Sequence, residues 1–138
     1  MKKRIEKLFP AAYDAIENVL EKRYSPNPIP SEFQGYISSF GASVMQMGLL
    51  PTLAVYADEG SGAAQDRRLL LETLAFVLYQ KQSSSPHEAI LPPGDNKKLF
   101  ETTVKQLDKS QQLELKKHLL DAAIAVKLCL RTFKLAEK

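Results

Sequence analysis

The chain has 138 residues, 44% apolar and 25% charged, enough to bury a core without disulfides or metals. A single cysteine excludes an internal disulfide and points to a reducing compartment. No stretch approaches the roughly 20 apolar residues that span a bilayer, and no apolar leader core follows Met1-Lys2-Lys3-Arg4. The expectation is a soluble, cytoplasmic, single-domain protein over residues 1–138. The net charge is only +3 but is unevenly spread. Residues 1–24 sum to +2, residues 25–95 to −4 and residues 96–138 to +5. Basic ends around an acidic middle suggest an anionic partner near the termini, although solvated lysines on long helices are the commoner explanation.

Ile5, Phe9, Ala12, Ile16, Val19 and Leu20 recur at helical spacing and predict a first helix over about Lys3 to Tyr24. Pro10 should kink or split its first turns. Ser25-Pro26-Asn27-Pro28-Ile29-Pro30 stops it with a stiff loop. Ser31-Glu32-Phe33-Gln34 has the capping-box pattern that starts a second helix. Phe33, Tyr36 or Ile37, Phe40, Val44 and Met47 form that helix's apolar line. Next comes the block Gln46-Met47-Gly48-Leu49-Leu50-Pro51-Thr52-Leu53-Ala54-Val55-Tyr56, apolar through a glycine and a proline. Gly48 suits the left-handed end of one helix and Pro51 the first turn of the next, so a buried elbow is expected.

A third helix runs to about Ala57, and Asp58-Glu59-Gly60-Ser61-Gly62 breaks it. A fourth covers about Ala64 to Gln80, apolar nearly all round and therefore central to a bundle or at an interface. Residues 82–96 read as a flexible loop. Asp95 can cap a fifth helix, with Leu99, Phe100, Val104 and Leu107 inward. Ser110 can cap a sixth that runs to near the end. No convincing strand and no repeat are found. The fold class is all-α, a single-domain helical bundle of five to seven helices.

The last helix carries two apolar stripes at 100° per residue. Leu115, Leu119, Ala122, Val126, Cys129 and Phe133 make one. Leu113, Leu120, Ile124, Leu128 and Leu135 lie roughly opposite, flanked by Lys116, Lys127, Arg131, Lys134 and Lys138. A helix sandwiched inside its own bundle would show the same pattern, and so would a protein contact rimmed by cations. Lys127, Arg131 and Lys134 share a helix face, and Lys2, Lys3, Arg4 and Lys7 crowd the start of the first helix, where the helix dipole disfavours cations. Phosphate contact would hold them there. Aromatic residues do not interleave, so backbone contact fits better than base stacking.

No catalytic constellation stands out. Cys129 sits on a core stripe, and His87 and His118 are too few for a His/Cys metal set. There is no glycine-rich phosphate loop. A helical enzyme using Asp58, Glu59 or His118 is the weak option. The chain calls for no cofactor, no metal and no catalytic residue.

The block Gln46-x-Gly48-Leu49 followed by Thr52-Leu53-Ala54-Val55-Tyr56 resembles the small subunit of the type III-B (Cmr) CRISPR RNA-guided effector complex, which is built from RAMP-module proteins. Size, helical pattern and the basic last helix agree. The resemblance implies a non-catalytic helical brick of antiviral defence. It would pack as a filament with copies of itself against other Cmr subunits and line the groove where guide RNA pairs with target RNA. Candidate RNA contacts are Lys2, Lys3, Arg4, Lys7, Lys127, Arg131 and Lys134. The candidate partner face is Leu113, Leu120, Ile124, Leu128 and Leu135. A small adaptor that binds only proteins is the alternative.

Overall fold

The computed structural model describes residues 2–57, 63–81, 96–133 and 135–136. For Lys2, Arg4 and residues 63–66, 79–81, 96 and 135–136 the description is of the backbone. The predicted break at 58–62, the loop at 82–95, the Asp95 cap, and Lys134 and Lys138 lie outside it.

The chain forms an all-α bundle. Helix α1 (Lys2–Glu6) ends before Leu8, and α2 (Phe9–Ala15) starts with Pro10 in its first turn. There the missing N–H costs nothing, so the proline splits the expected first helix in two. The helix then widens to a π segment over Ile16–Glu21 and closes as α3 (Lys22–Tyr24). Its apolar line holds: Ile5, Ala12, Ile16 and Leu20 are buried.

Helix α4 (Glu32–Met47) buries Phe33, Ile37, Phe40 and Val44 at 4-3-4 spacing. Its expected capping box does not form. Ser31 already has helical dihedrals, and its buried hydroxyl finds no hydrogen-bond partner among the described residues. Gly48 ends α4 with φ 94° and ψ 171°, and its N–H donates to the Val44 carbonyl at 3.0 Å. The same residue begins α5 (Leu49–Tyr56), with the Thr52 hydroxyl donating to its carbonyl at 2.9 Å. The elbow is thus one residue long. Its inner side, Leu49, Thr52, Leu53 and Tyr56, is buried, while Met47 and Pro51 are exposed, so the expected buried turn is only half buried.

Helix α6 (Ala63–Lys81) is the central element, touching α2, α4, α5, α7, the π segment and α8 (Lys109–Leu130). Leu70, Leu71, Leu74, Val77 and Leu78 are buried along one side of it, about 120° wide at 100° per residue, while Leu69, Glu72 and Phe76 on the other side are half-buried. In α7 (Asn96–Gln106) Val104 points outward and Thr103 inward, reversing the expected assignment. Thr103 is buried without penalty because its hydroxyl donates to the Leu99 carbonyl at 2.7 Å. Thr73 does the same to Leu69 at 2.8 Å.

Asp108, rather than Ser110, caps α8. Its extended backbone lets Oδ1 accept from the Gln111 N–H at 2.8 Å, while Gln111 Oε1 accepts from the Asp108 N–H at 3.0 Å. Gln112 Nε2 then donates to the Thr103 and Leu107 carbonyls, satisfying the end of α7. Asp108→Ala is expected to cost about 1 kcal/mol in urea unfolding, the usual worth of a lost acidic cap. An unchanged midpoint would show that the cap carries no stability.

Helix α8 stops at Leu130, short of the predicted end. The chain turns through Thr132, whose hydroxyl donates to the Cys129 carbonyl at 2.7 Å. Phe133 stacks on Tyr13 with ring centroids 4.8 Å apart. Leu135–Ala136 (β2) then pairs in parallel with Ile29–Pro30 (β1). This two-residue pairing, which the sequence does not predict, ties the tail to the loop after α3.

Candidate nucleic-acid and partner interface

Helix α8 positions most of the candidate residues. Its core stripe is set by the bundle: Leu115, Leu119, Ala122, Val126 and Cys129 are buried, together with Ala125 and Leu130. The second stripe faces away from that core. Leu113 is 53% exposed, Ile124 46% and Leu128 39%, with Leu120 half-buried between them. A helix sandwiched among the described residues would not leave these side chains open. Leu135 does not belong to this stripe, because the helix has ended and residue 135 lies in β2.

The stripe borders a groove of about 300 Å³ between α4 and α8. Ile37, Gly41 and Met45 form one wall, and Leu120, Ala123 and Ile124 the other. Gly41 and Ser38 leave the gap, and Met45 stands 69% exposed at its edge. No candidate residue read from the sequence lies on this side of α4. The available signal was the pair of small residues one turn from an exposed methionine.

The candidate cations divide by place. Lys127 is half-buried at the groove and donates to Ser38 Oγ at 2.7 Å, which bridges α8 to α4. Arg131 is exposed at the C-cap of α8. Lys3 and Lys7 are exposed on and just after α1. Cys129 Sγ lies 3.7 Å from the Phe9 carbonyl, so the α1–α2 junction sits against the last turn of α8. With Tyr13 on Phe133, that contact runs α2 past the end of α8 and lays α1 back along it, on the side of α8 about 160° round from Arg131 at 100° per residue. The side chains of Lys2 and Arg4, and Lys134 altogether, lie outside the described residues. The proposed single face of Lys127, Arg131 and Lys134 does not persist as a helix face, since α8 ends before Lys134.

Other titratable groups have structural explanations. Burial pushes the Cys129 thiol up, which keeps it protonated and unreactive. Burial also raises the Glu72 carboxyl, with Arg68 and Arg23 pulling it back. Tyr56 is raised by burial, against a smaller opposing effect of Arg67, and its hydroxyl lies 3.4 Å from the Tyr36 carbonyl. His118 is half-buried on α8, while Asp58, Glu59 and His87 lie outside the described residues. Among the described residues, no group of three or more His, Cys, Asp or Glu could hold a metal ion, and no helix is long and apolar enough to cross a membrane.

Neither a curated relative nor a solved structure matches the chain. The family model described as CRISPR-associated protein (Cas_Cmr5) matches residues 5–131, spanning every α-helix from Ile5 in α1 to the C-cap of α8. With its apolar elbow, helical bundle and open last helix all inside that match, this chain belongs to the Cas_Cmr5 family, the small subunits of the type III-B CRISPR complex.

Proposed function

We propose that the chain is a non-catalytic brick of a Cmr complex, which packs with copies of itself against the backbone subunits and lines the groove holding guide and target RNA. The observation that carries this reading is the open stripe Leu113, Leu120, Ile124 and Leu128, which leads to the exposed Arg131 at the C-cap of α8. An apolar stripe with cations at its end suits a protein contact that finishes beside a phosphate backbone. Lys3, Lys7, Lys127 and Arg131, with Lys2, Arg4 and Lys134, would meet phosphates. Base pairing with the guide would carry sequence selection, so the protein needs no base-reading side chains.

Replacing Lys127, Arg131 and Lys134 together by Ala is expected to weaken RNA association of the assembled complex while helicity stays at the wild-type level. Loss of two or three phosphate contacts should reduce affinity about tenfold or more at moderate salt. Filter binding with circular dichroism checks both parts. Unchanged RNA binding would remove these residues from the interface, and lost helicity would make them structural. The second reading, an adaptor that binds only proteins, draws on the Lys127–Ser38 hydrogen bond, which turns one candidate cation inward.

A further inference from the structure

The charged side chain lining the α4–α8 groove is a lysine, and an acidic ridge lies on another face of the same chain. Lys127 lies at the groove, and Lys116 sits one turn before Leu120 on the same flank of α8. On α2 and the π segment, Asp14, Glu17 and Glu21 are all exposed at spacings of three and four, with Tyr13 and Pro10 exposed beside them. Lys22 follows at the end of this ridge, and Arg23 lines a hollow shared with Glu72 of α6. Ridge and groove occupy different faces. Ala123 faces the groove and Cys129 faces the α1–α2 junction, about 120° apart on α8 at 100° per residue.

We infer that the groove between α4 and α8 receives the acidic ridge Asp14–Glu17–Glu21 of a second copy of this chain. This rests on the self-packing reading above and names its contact. A symmetric alternative, two α8 stripes laid antiparallel, is disfavoured by charge. A twofold axis near the middle of the stripe would bring like flanks together, setting Lys116 of one copy beside Lys127 of the other at both ends. The ridge-to-groove contact pairs opposite charges instead. It is heterologous, so each copy keeps a free ridge at one end and a free groove at the other, and the array can grow. Tyr13 and Pro10 supply apolar surface against Met45 and Ile124.

Sedimentation velocity at low ionic strength over rising concentration tests this with the full chain. Two double variants are used, Glu17→Lys with Glu21→Lys, and Lys116→Glu with Lys127→Glu. The wild type is expected to sediment faster as concentration rises, and each variant alone to stay at the monomer value. An equal mixture should recover association, because the reversed ridge of one fits the reversed groove of the other. If Lys116→Glu with Lys127→Glu loses helicity, Met45→Asp on the opposite wall replaces it and should abolish the concentration dependence. A wild type that stays monomeric throughout, or a mixture that fails to recover association, would overturn the contact. Copurification of the wild type with other Cmr subunits reads the assembly role separately, so loss of that role alone does not count against the ridge and groove.

Discussion

Phe40→Ala is expected to lower stability by about 3–5 kcal/mol, the range for emptying a buried phenylalanine site. Phe40 is fully buried on α4. Its ring meets Tyr56 of α5 edge to face, with centroids 5.2 Å apart and planes at 85°. Two residues of α4 build a second ring cluster: Phe33 packs edge to face on Tyr36 at 5.6 Å and on Tyr24 of α3 at 5.8 Å. These rings fasten α4 to the segments before and after it. Losing Phe40 removes both the volume and the edge-to-face pair, the latter worth about 0.5–1.5 kcal/mol beyond burial. Against a typical total of about 5–15 kcal/mol, the variant should unfold at much lower urea. A loss under about 1 kcal/mol would mean that the site collapses around the gap and that the ring pair is incidental.

Gly48→Val is expected to cost about 1–3 kcal/mol, from backbone rather than volume. A φ of 94° with ψ of 171° is a conformation that essentially only glycine adopts. A Cβ placed there meets nothing closer than Pro51 Cδ at 4.0 Å, so the space is open and the dihedral alone carries the penalty. Gly48→Ala should therefore lose nearly as much as Gly48→Val. Thermal melts of the two variants check this. A melting temperature equal to wild type for either would show that the elbow relaxes to negative φ without loss. Because Gly48 closes α4 and opens α5 at once, strain there should loosen the junction from both sides.

The apolar line of α4 was readable because burial there follows helical period, and the central place of α6 because its far side, with Leu69 and Phe76, is half-buried as well. Gly48 was readable because one residue type alone fits the conformation. Thr52, Thr73 and Thr103 were harder to read as core. Each hides its hydroxyl on the carbonyl four residues back, so a polar letter stands at an apolar position. That is also why Val104 was expected inward in place of Thr103. The sequence offers two good caps for α8, Asp108 and Ser110, and only the extended backbone at Asp108 decides between them. The end of α8 carries no glycine or proline. It is set by tertiary contacts, Phe133 on Tyr13 and Cys129 against Phe9, which lie 120 residues apart in sequence.

The open stripe of α8 was legible as a second apolar face, but its exposure was not, since an internal sandwich gives the same wheel. The groove beside it could not be assembled from the sequence, where Ser38 and Gly41 hint only at a gap, because its other wall comes from α4, far away in the chain.

The most direct test of the central claim, that basic residues of this chain meet an RNA backbone, is the salt dependence of RNA binding by the assembled complex with and without this subunit. The complex that contains it should show log affinity falling linearly with log salt, with a slope steeper by about one for each phosphate the subunit meets, two to four in all. Equal slopes with and without the subunit would contradict the claim and leave a protein-only role.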